Sequence, residues 1–71
     1  MRSGIVRTGD VVVIAAFDDV PEHEFEVHEV FEDCVTGVAL TGPLAGEYGE
    51  PSVEMILRVV GPLGTQQSQQ A

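Results

Sequence analysis

Asp18-Asp19-Val20-Pro21-Glu22-His23-Glu24-Phe25-Glu26-Val27-His28-Glu29-Val30-Phe31-Glu32-Asp33 is the stretch whose reading decides the fold. Eight of these sixteen residues are acidic, and none is Lys or Arg. Val20, Phe25, Val27, Val30 and Phe31 are threaded between the charges, so one side of the segment can pack while the other meets water. Read as a strand, Phe25 and Val27 point one way and Glu24, Glu26 and His28 the other. Read as a helix over 21–33, Pro21 suits the first turn, and Val27, Val30, Phe31 and Cys34 share a stripe. Against the helix, Phe25 falls off that stripe, and Glu32 and Asp33 crowd a C-terminus where the helix dipole disfavours negative charge. Phe and Val also favour strands. The strand reading prevails; the alternative is an α+β domain with one helix at 21–33.

A hairpin with the following segment supports the strand. If the chain folds back around Glu32-Asp33, partner numbers sum to 65. Phe25 then faces Leu40 and Val27 faces Val38 on the inner side, while Glu24 faces Thr41 and Glu26 faces Ala39 outside. Apolar meets apolar, as a half-buried hairpin requires. The phase breaks near His28–Val30, where a bulge would turn Val30 inward. Glu-Asp makes a poor two-residue turn, so a longer loop over Phe31–Cys34 is expected.

Upstream, Met1–Arg7 reads as a loose leader, with Ile5 and Val6 candidates for the first strand. Thr8-Gly9-Asp10 signals a turn. Val11–Phe17 opens with four β-branched residues and is bounded by Gly and Asp-Asp, which argues for a strand buried on both faces. Downstream, three glycines and two prolines between Thr41 and Pro51 mark an ordered connection, with a short strand at Gly46–Tyr48. Pro51–Val60 is either one strand or a single helical turn at 52–55 leading into a strand at Ile56–Val60. Gly61–Gly64 stops that strand. Residues 65–71 lack an apolar anchor and read as a disordered tail, which leaves 1–64 as one small domain.

Four or five short strands with a helical turn before the last resemble a small SH3-like barrel. The Thr-Gly-Asp lead into the first strand and the Glu-Pro-Ser…Leu-Arg-Val run at the end look similar to that fold's ends. The resemblance is one of architecture, and such barrels host unrelated functions.

The chain has 71 residues, which a single domain fills. Folding buries only about 60% of the unfolded surface of so short a chain. Cys34 is the only cysteine, so no disulfide within the chain and no cysteine-rich metal site is available. Self-association is one remaining route to stability. The net charge is -9, with Arg2, Arg7 and Arg58 the only fixed cations. Nucleic-acid binding needs a basic footprint, which is missing, and anionic membranes are disfavoured for the same reason. Met1–Asp10 has no apolar core of a signal peptide, and a lone cysteine fits a reducing compartment. A cytoplasmic protein is expected.

No set of residues assembles into a catalytic centre. His23-Glu24…His28 is one residue too long for the zinc-protease motif His-Glu-x-x-His. An interval of five puts the two imidazoles on opposite faces of a strand, so the reading is two surface histidines and no metal. Asp18, Asp19, Glu22 and Glu24 lack the EF-hand spacing and read as a solvated acidic loop. Cys34, beside Phe31, Val30 and Val35, reads as a small buried hydrophobe without a base. Tyr48 is either an exposed contact anchor or a lid over the core.

The function expected from the sequence is a non-enzymatic binding module without a cofactor. Its acidic face docks a basic protein, as a small inhibitor or a DNA mimic does. Glu22, Glu24, Glu26, His28, Glu29 and Tyr48 form the candidate partner-binding set. Histidine among carboxylates also makes the face a candidate for pH-sensitive contacts. The second hypothesis is a homo-oligomer that binds a small molecule, with Gly42–Pro51 at the interface between copies.

Overall fold

A computed structural model describes residues 6–63. Five antiparallel strands form one sheet: β1 (Asp10–Ile14), β2 (His23–Val30), β3 (Val35–Ala39), β4 (Tyr48–Gly49) and β5 (Ile56–Pro62). Their order across the sheet is β4-β3-β2-β1-β5, so the last strand lies beside the first. The sheet is not closed into a barrel among the described residues, where β4 and β5 are its edges. Residues 1–5 of the expected leader and the expected tail, 65–71, lie outside the described residues. Val6 does not join the first strand, which starts at Asp10; it packs against the core, and the Arg7 N–H donates to Asp10 Oδ2 at 3.0 Å.

β1 is flanked by β2 and β5, and every one of its residues is buried. Its β-branched run is what such a position selects, because both faces of the strand are covered. The strand stops at Ile14, short of the expected Phe17. Ala15 instead donates its N–H to the Met55 carbonyl at 2.8 Å, and Phe17 pairs with Val20 across a tight turn. Asp18 holds that turn with φ at 49°, a left-handed conformation that Asp tolerates better than most residues.

The segment from His23 to Val30 is a strand, and no helix forms over 21–33. Phe25 and Val27 point into the core, where they meet Val12, Ile14, Val35 and Ala39. The hairpin register is a correction to the sequence expectation. Phe25 pairs with Ala39, Glu26 with Val38, and Val27 with Gly37, a sum of 64; only Glu29–Thr36 and Val30–Val35 sum to 65. The inner residues of β3 are therefore Val35, Gly37 and Ala39, whereas Val38 faces outward. Size decides this more than hydrophobicity does. A β-carbon on Gly37 would collide with the Glu26 carbonyl and stand 3.0 Å from the Phe25 ring, so only glycine fits there.

The bulge falls where the sequence places the phase break, between Val27 and Glu29, with His28 as the extra residue. Val30 pairs with the core residue Val35 but lies at the end of the sheet and stays 44% exposed, so it does not join the core. Phe31–Cys34 is the connecting loop, closed by the Phe31 N–H donating to the Cys34 carbonyl at 2.8 Å. Cys34 is half-buried and bridges to Ser52.

A single 3-10 turn at Val53–Met55 precedes β5, with the Ser52 side chain accepting from the Glu54 N–H at 3.2 Å. β5 then continues through Gly61 and Pro62, past the expected stop at Gly61. Its pairing with β1 skips Leu57 and Val60, at two register shifts. These skipped residues are 53% and 41% exposed, because an extra residue in a bulged strand leaves the regular alternation. Among the described residues no helix is long and apolar enough to cross a membrane.

Candidate functional site

The two faces of the sheet have different chemistry. Ile14 pairs with His23 and Val12 with Phe25, so these residues share the core face. Val11 pairs with Glu26 and Val13 with Glu24, which puts both glutamates on the opposite, outer face. Across β3, Val38 pairs with Glu26 on one side and with Tyr48 on the other. One row of the outer face thus reads Tyr48, Val38, Glu26, Val11.

Regular alternation would send Glu29 back to the core face. The bulge prevents this: with His28 extra, Glu29 pairs with Thr36, in phase with Val38 and Glu26. His28 lies on the same side, its Nε2 3.7 Å from a Glu26 carboxylate oxygen. Glu24, Glu26, His28, Glu29 and Tyr48 are therefore brought together on one outer face. Glu22 is exposed in the loop before β2, where it lines a shallow depression with Glu24, Thr41 and Arg58. Thr41 steadies this end of β2 by accepting from the Glu24 N–H at 3.0 Å.

Tyr48 is 63% exposed, and its hydroxyl donates to the Glu50 carboxylate at 2.9 Å. That hydrogen bond, together with the negative charge of Glu50, raises the phenol above its ordinary value of 10.0. The Glu29 carboxylate pushes in the same direction and the Thr36 hydroxyl in the opposite one, which fits their place on one face.

The two histidines are on opposite faces, as an interval of five requires, but His23 is not a surface residue. It is 5% exposed, and its Nδ1 lies 2.9 Å from the Pro21 carbonyl. Its phase in the strand is that of Phe25, and this parity is the signal in the sequence that marks it as buried. His23 and Phe17, with ring centroids 6.2 Å apart, line a largely apolar cavity on the core side. The sequence gives no sign of that cavity, since its walls come from β1, β2, β3, the Gly42–Pro51 connection and the 3-10 turn. No group of three or more His, Cys, Asp or Glu placed to hold a metal ion occurs among the described residues.

No family model, curated protein or solved structure matches the chain.

Proposed function

We propose that the chain is a non-enzymatic binding module whose outer face docks a basic protein surface. The observation that carries this reading is the bulge at His28, which puts Glu29 on the same face as Glu24 and Glu26 beside an exposed Tyr48. Carboxylates around an aromatic and a half-buried valine suit a partner bearing Arg or Lys near an apolar contact. Aromatics carry much of the energy at interface centres, and the charges steer the encounter. In its sharper form the face covers a nucleic-acid-binding surface of the partner, as DNA-mimic inhibitors do. An SH3-like architecture belongs to the same reading. It is supported by the neighbouring first and last strands and by the 3-10 turn that precedes β5.

An arginine-rich peptide titrated into the isotope-labelled chain tests this by NMR. The expected shifts concentrate at Glu24, Glu26, His28, Glu29 and Tyr48, and affinity falls steeply with salt. Screening lengths shrink from about 10 Å at 0.1 M salt to about 3 Å at 1 M. Shifts spread evenly over all acidic residues, or centred on another face, would overturn the reading.

A further inference from the structure

The cavity on the core side has a volume of about 270 Å³. Ile14, Phe17, Phe25, Leu44 and Met55 give it an apolar wall, and Glu47, Tyr48 and Glu50 line it as well, the Tyr48 hydroxyl donating to one Glu50 carboxylate oxygen. His23 lines it too, and this side chain is more than nine-tenths buried. A carbonyl oxygen only accepts, so the bond to Pro21 requires the hydrogen on Nδ1. In the neutral ring the remaining lone pair is then on Nε2. Among the described residues nothing donates to that atom. A buried polar atom without a partner is costly, and a ligand that carries a donor, held in the cavity that His23 lines, would supply one.

We propose that this cavity is a binding site for a small organic cation: one apolar ring or its aliphatic equivalent, carrying an ammonium group. The volume lies just below the usual range for ligand pockets, about 300–1,000 Å³, so a fragment-sized body fits. The apolar wall takes the ring. An ammonium supplies donors and positive charge, which a histidine lone pair and two carboxylates can receive. An anion of the same shape would meet those two carboxylates, and an uncharged analogue would forgo the charge attraction. Ile14, His23 and Phe25 put this site on the opposite face of the sheet from Glu24, Glu26 and Glu29; it shares Tyr48 with the docking face but does not depend on the docking reading.

Three probes with the same body decide the matter: phenethylamine, phenethyl alcohol and phenylacetate, each titrated into the labelled full-length chain by NMR. The expected result is saturable shifts at Ile14, Phe25, Leu44, Met55 and the His23 Nε2 nitrogen. The amine binds tightest and the carboxylate weakest. Glu47 and Glu50 are exposed, so Glu47→Gln and Glu50→Gln leave the fold intact, as a spectrum unchanged outside the substituted residue and, for Glu50→Gln, its partner Tyr48 verifies. Each variant weakens the amine roughly two- to fivefold, the range for an exposed ion pair, and leaves the alcohol unaffected. The proposal is overturned by phenylacetate binding as tightly as the amine, by shifts away from the cavity, or by no saturable shift with any probe.

Discussion

Glu26 and Tyr48 flank Val38 from its two sides, each its direct cross-strand partner, one in β2 and the other in β4. An acidic residue and the chain's only tyrosine are thereby fixed on one face at the spacing of two strands, about 10 Å. Backbone pairing sets this separation, so the face is ordered before any partner arrives. A preorganised surface loses little conformational entropy on binding.

That arrangement depends on Gly37. A methyl group there would run into the Glu26 carbonyl, which is backbone and cannot rotate away. Gly37→Ala is expected to cost on the order of 3 kcal/mol, the upper part of the range for overpacking. Urea unfolding monitored by circular dichroism checks it, and an unchanged midpoint would show that the hairpin register is wrong.

The bulge makes a separate claim. Removing His28 leaves Val27 opposite Gly37 and Glu29 opposite Thr36, now without a shift, so both halves of β2 keep their faces. Deleting Val27 closes the bulge as well, but it puts the His28 imidazole opposite Gly37 in the fully buried position that Val27 holds, so a core valine is lost and a polar ring is buried in its place. The His28 deletion is expected to fold cooperatively and the Val27 deletion to lose cooperative unfolding. Equal damage from both deletions would contradict the assignment.

Tyr48 offers a clean titration, since the chain has no other tyrosine and no tryptophan. Its tyrosinate absorbance is expected to rise with a midpoint above 10.0, and Glu50→Gln to bring the midpoint down. The sign follows from linkage. A phenol whose folded value is raised releases its proton more readily from the unfolded chain. The stabilisation is therefore complete below the unfolded-state value and is lost as pH climbs through the folded one. A midpoint insensitive to Glu50→Gln would mean that the hydrogen bond is absent in solution.

The strands are legible in the sequence because their signals are local. Val11–Ile14 announces a doubly buried strand, the alternation through Phe25 and Val27 selects strand over helix, and Ser52 marks the turn before β5. The hairpin register is only half legible. The phase break at His28 is visible, but its one-residue shift has to be carried through every pair beyond it. By hydrophobicity Leu40 is the better partner for Phe25, whereas the ring requires small neighbours such as Gly37 and Ala39. Burial of His23 and the cavity it lines arise from contacts distant in sequence, which no local pattern encodes. Likewise Glu24 and Glu26 are placed outward by simple parity, while Glu29 reaches their face only through the bulge.

The proposed docking face is tested most directly by a pull-down from the native host, using the intact chain and its Glu24→Gln/Glu26→Gln/Glu29→Gln variant as baits. Each is run at low and at high salt. The expected result is a basic protein retained by the intact chain at low salt, released at high salt and not held by the variant. Retention that ignores both the salt and the three substitutions would contradict the account.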